Sequence, residues 1–64
     1  MSFELACVFL AETDAAVKIC DAVTDEVFWI PLSQVDEMHG KQRDGTGEGS
    51  IVMSDWIARQ KGLL

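Results

Sequence analysis

Apolar positions fill three short blocks in the first half of the chain. Phe3 to Ala11 is apolar at nearly every position, Ala16 to Val23 follows, and Val27 to Leu32 ends the series. β-Branched and aromatic residues dominate these blocks, and the turn-forming pairs Thr13-Asp14 and Thr24-Asp25 separate them. Blocks of this length and content, bounded in this way, predict three strands joined as two hairpins.

The pattern also predicts a register. With the first turn centred on Thr13-Asp14, Val8 opposes Ile19 and Leu10 opposes Val17 on one face. Cys7 then opposes Cys20, Phe9 opposes Lys18 and Ala11 opposes Ala16 on the other face. With the second turn centred on Thr24-Asp25, Ile19 opposes Ile30 and Val17 opposes Leu32. Side chains alternate with period two, so both hairpins extend one aliphatic face. A slip of one residue would turn every side chain over and mix Lys18 into that face. Threonine fits poorly at a turn position of positive φ, which favours four-residue loops over tight two-residue turns.

The same register gathers Cys7, Phe9, Cys20, Val27 and Trp29 on the second face. The stretch EVFWIPLSQ, Glu26 to Gln34, is then apolar because both sides of its strand carry something. Two readings stand. Either the sheet curls into a small barrel with the C-terminal segment covering the second face, or that face is a binding surface. Burial is the commoner use of apolar side chains.

Residues 36–49, DEMHGKQRDGTGEG, hold four glycines, six charges and one apolar residue, Met38. They read as a long flexible loop, a feature that is often functional in a small domain. Ser50 to Met53 reads as a fourth short strand. Ser54 can cap a following helix over Asp55 to Lys61, with Asp55 at its positive end and Arg59 and Lys61 near its negative end. Gly62 suits the left-handed position after it. A helix of two turns needs a docking partner, and Trp56 and Ile57 are the expected anchors. The expected fold is one domain over residues 1–64, α+β but mainly β. Its sheet is a curled, barrel-like meander of four antiparallel strands, with one short C-terminal helix.

Composition narrows the class. A chain that is 48% hydrophobic is too apolar for disorder, and at 64 residues its core is thin. No apolar run approaches the roughly 18 residues of a membrane span and no basic segment opens the chain, so a cytoplasmic protein is expected.

Charge changes the picture more. The net charge is −6. Residues 1–35 carry six acids, Glu4, Glu12, Asp14, Asp21, Asp25 and Glu26, against Lys18 alone, a net −5. That field repels a phosphate backbone and suits a basic partner, although solubility alone also explains it.

The segments F-W-I-P-x-S-Q, from Phe28 to Gln34, and W-I-A-x-x-K-G-L, from Trp56 to Leu63, add an origin. Together they resemble a group of short proteins of bacteriophages and prophage-bearing bacteria, over residues 15–64. The resemblance implies a small phage-type accessory domain with nothing catalytic. The first strand, with Cys7, lies outside it.

Candidate chemistry is sparse. Cys7 and Cys20 read as two reduced thiols, and with His39 they lack the four close ligands of a zinc site. No nucleophile elbow, phosphate loop or Ser/His/Asp constellation occurs, and the adjacent Asp36 and Glu37 read as solvated. No enzyme, metal or cofactor is expected. The expected function is a non-catalytic interaction module of phage type. It binds a basic host or phage protein through an acidic face (Glu12, Asp14, Asp21, Asp25, Glu26) and an apolar face (Phe9, Trp29). Its sharpest form is a nucleic-acid mimic that inhibits a host defence protein, as anti-CRISPR proteins do. A second class is single-strand nucleic-acid binding, with Trp29 stacking bases and Lys41, Arg43, Arg59 and Lys61 tracking phosphates. A structural homodimer is the third.

Overall fold

The computed structural model describes residues 1–64. Each of the three apolar blocks forms a strand: β1 (Ser2–Glu12), β2 (Ala16–Asp21) and β3 (Val27–Pro31). A 3-10 turn over Leu32–Gln34 leads to β4 (Val35–His39), followed by β5 (Gly47–Ser54) and the helix α1 (Asp55–Gln60). All pairings are antiparallel, in the order β3-β2-β1-β5-β4. The protein is therefore mainly β, with one five-stranded sheet and one short helix.

The sheet has five strands rather than the expected four because the presumed loop is largely strand. Its first residues form β4 and its last ones begin β5, which leaves residues 40–46 as the connection. Two glycines permit this. A Cβ on Gly49 would lie 1.8 Å from the His39 carbonyl oxygen, and one on Gly40 would lie 2.5 Å from that of Glu48. Gly40 also holds φ at +86°, which side chains disfavour.

The sheet is open, not a barrel. β3 and β4 form its two edges and no ladder joins them. It is nevertheless bent. Edge strands of a flat five-stranded sheet stand about 19 Å apart, four spacings of about 4.8 Å. The link from Pro31 to Val35 spans at most about 15 Å, at 3.8 Å per Cα step. Only a curled sheet lets so short a link connect its edges.

The first hairpin departs from the expected register by one residue. Phe9 opposes Ile19, Val8 opposes Cys20 and Cys7 opposes Asp21, and a bulge at Leu10 then resets the ladder. That slip turns β1 over. Phe9 is fully buried, Cys7 joins it in the core, and Val8 and Leu10 face outward. The physical reason is area: an inward phenylalanine removes far more apolar surface from water than an inward valine. The second hairpin is shifted by two residues, so Val17 opposes Ile30 and Ile19 opposes Phe28, and the aliphatic face survives. Its connection, residues 22–26, is held by Asp21, whose Oδ1 accepts from the amides of Val23 (2.8 Å) and Thr24 (3.4 Å). Asp25 takes φ of +64° there, a conformation that aspartate tolerates.

The core is Cys7, Phe9, Val17, Ile19, Ile30, Ile51 and Met53 from the sheet, closed by Ile57 and Ala58 of α1. Ser54 caps the helix by accepting from the Ile57 amide at 3.2 Å, and its hydroxyl donates to Gln34 Oε1 at 2.6 Å. Gly62 ends it in the left-handed conformation. Trp56, expected to anchor the helix, is instead 59% exposed, because Ile57 and Ala58 occupy the face turned to the sheet. No helix is long and apolar enough to cross a membrane.

Candidate interaction surface

The side of the sheet away from α1 is defined by alternation. In β3, Ile30 is buried and Phe28 is half-buried against the core, so Val27 and Trp29 project outward. Val8 and Cys20 share that side, next to Val27. So do Lys18, opposite Trp29, and Glu4, Val52, Glu37 and Glu48 along β1, β5 and β4. The result is an apolar strip over β1, β2 and β3, with Glu48 opposite Val8 and the other carboxylates farther along β1 and β4.

Trp29 is the largest residue of the strip and is 44% exposed. The Lys18 ammonium lies 5.8 Å from its ring centroid, within cation–π range. The two form a non-hydrogen-bonded cross-strand pair, the kind in which side chains approach most closely. Lys18 thus steadies the ring and occupies one of its faces.

The carboxylates expected to form one acidic face do not share a surface. Glu12 and Asp14 belong to the β1–β2 turn, where they line a polar cleft of about 290 Å³ with Lys41, Arg43 and Asp44. Glu12 is paired there with Lys41. Asp25 and Glu26 sit at the other end of β2. Asp21 is 6% exposed and its carboxylate is committed to the turn amides, so it offers nothing to a partner. Phe9, expected on the apolar face, lies in the core for the reason given above.

The acids that share the outer side of the sheet with Trp29 are instead Glu4, Glu48 and Glu37, on β1, β5 and β4 rather than beside the ring. Sequence parity held that signal, but only in the correct register: Glu4 shares parity with Val8 along β1. The surface as a whole stays acidic. Glu4, Glu12, Asp14, Asp25, Glu26, Asp36, Glu37, Asp44 and Glu48 are exposed, against only Arg43 and Arg59 among the bases.

The basic residues do not converge on Trp29. Arg59 and Lys61 belong to the helical segment on the opposite side of the sheet, and Lys41 is occupied by Glu12. His39 Nε2 lies 3.1 Å from Glu37 Oε1.

Cys7 and Cys20 are free thiols on opposite sides of the sheet. Burial, together with the nearby Asp21 and Cys20, pushes the Cys7 thiol up to about 11, which keeps it protonated at neutral pH. Hydrogen bonds from Thr46 hold the Asp44 carboxyl below its ordinary value. The surface thus offers recognition by apolar area and negative charge.

Comparison with protein-family models, with characterised proteins and with solved structures returned no match for this chain.

Proposed function

We propose that the protein is a non-catalytic interaction module that binds a basic protein partner through the outer face of its sheet. One observation carries the reading: Trp29 is presented on an open edge strand, on a surface whose exposed acids far outnumber its exposed bases. Tryptophan anchors are characteristic of binding hot spots, and a surface of predominantly one sign steers an oppositely charged partner and rejects nucleic acid. The binding residues in this reading are Trp29 and Val27, with Glu4, Glu37 and Glu48 as the steering charges. With the phage-type resemblance of residues 15–64, the sharper form is an accessory protein that competes with nucleic acid for a host protein.

The test is a pull-down from nuclease-treated bacterial lysate at low and moderate salt, with wild type, Trp29→Ala and a Glu4→Lys/Glu48→Lys double variant. The expected result is a basic, nucleic-acid-handling protein retained by wild type at low salt, released by added DNA and lost in both variants. Retention that ignores all three substitutions would sink the assignment. Quenching of tryptophan fluorescence by single-stranded oligonucleotides would instead favour direct nucleic-acid binding, with Lys18 beside Trp29 as the cation.

A further inference from the structure

The free edge of β3 is unlike that of β4. Along β3 the hairpin bonds fix the backbone phase: Asp21 donates to the Glu26 carbonyl and Leu32 donates to the Ala15 carbonyl. Antiparallel pairs alternate, so Phe28 and Ile30 bond to β2 while Val27, Trp29 and Pro31 turn their backbone groups outward. Pro31 is tolerated in the strand for this reason, since its missing N–H falls on the open side. The outward groups are the N–H and C=O of Val27 and Trp29 and the C=O of Pro31. The β4 edge is protected by an irregularity at Asp36 and by the charges of Asp36 and Glu37. The strand V-F-W-I-P carries neither protection.

We propose that this edge pairs with the same edge of a second copy, antiparallel about a two-fold axis at Trp29. The pattern is self-complementary. Trp29 exchanges both backbone bonds with Trp29 of the other copy, and each Val27 N–H donates to the opposite Pro31 carbonyl. Four bonds form, and the missing Pro31 donor leaves only the Val27 carbonyl unmet. Charge agrees locally: Glu26 falls opposite Leu32, and Asp25 opposite Ser33, so no acid meets an acid across the axis. The two Trp29 rings become neighbours on the outer face, and two open sheets become one sheet of ten strands.

The net charge of −6 on each copy opposes this association, and strands of five residues bury less than a standard interface. The dimer is therefore weak, and screening by salt strengthens it. The pairing stands apart from the basic-partner reading, since it needs only the β3 backbone and one chain.

The experiment is sedimentation equilibrium up to millimolar concentration at low and high ionic strength, with amide hydrogen exchange read by NMR at both ends of the concentration range. The expected result is a mass that rises towards twice that of the chain and dissociation that weakens with salt. The Val27 and Trp29 amides should slow as the dimer fills. Trp29→Glu sets like charges across the axis while keeping a partner for Lys18. A synthetic chain N-methylated at Trp29 keeps every side chain but removes the two central bonds. Both, checked as folded by circular dichroism, are expected to weaken association about tenfold or more. A strict monomer at millimolar concentration and high salt overturns the pairing, as does a dimer whose Val27 and Trp29 amides exchange as fast as in the monomer.

Discussion

Asp21 and Phe9 illustrate how a single residue takes its role from its neighbours. Asp21 accepts from two amides of its own turn while nearly buried, which makes it a structural acid. Asp21→Ala should cost about 1–3 kcal/mol by orphaning those amides, whereas Asn in its place should restore most of the stability, as urea unfolding would show. Phe9→Ala should cost about 3–5 kcal/mol, a large share of what so small a domain has, while Trp29→Ala should change stability little. Equal costs at the two positions would contradict the observed register. Cys7 adds a pH dependence. Its folded thiol titrates near 11 against an ordinary 9.0, so the folded state holds the proton more tightly than the unfolded. That stabilisation is fully present below pH 9 and is lost as pH rises from 9 towards 11. Thiol alkylation followed by mass spectrometry at mildly alkaline pH should accordingly label half-exposed Cys20 well before Cys7.

At the scale of elements, the glycines and the cap decide more than propensity does. Gly49→Ala brings a methyl group into the His39 carbonyl, so β4 and β5 must separate at that point. A loss of amide protection confined to β4 and the adjoining part of β5 is the expected signature in hydrogen exchange. Ser54→Ala removes a helix cap and a hydrogen bond to Gln34, and should cost about 1–2 kcal/mol in thermal or urea unfolding. The three strands of the apolar blocks, the cap and the helix terminator were legible from pattern and turn chemistry with little adjustment, although the inward side of β1 was not. β4 was not, because Val-Asp-Glu-Met-His has no strand-like alternation; it becomes a strand because β5 offers it a free ladder. The helix was legible but its docking face was not. Two turns do not define which side turns inward until the sheet is in place, and Trp56 is left outside.

Over the whole molecule, net charge and sheet curvature act together. Exposed carboxylates repel one another in the folded state, so the thermal midpoint should rise with added salt at constant pH. A midpoint that falls would mean that the Glu12–Lys41 pair outweighs the general repulsion.

What the sequence determined by itself is local: the three apolar blocks, the turns, the cap, the sign of the charge and the preference for a mainly β fold. These depend on neighbours in the chain, and the chain carries them openly. What only the tertiary structure decided is which side of each strand faces inward. A single bulged residue at Leu10 inverts a whole strand, and burial of Phe9 in preference to Val8 settles the choice. The candidate surface follows from that choice. Trp29 is outward in either register, but the carboxylates that share its side of the sheet are assigned only when β1, β4 and β5 pair.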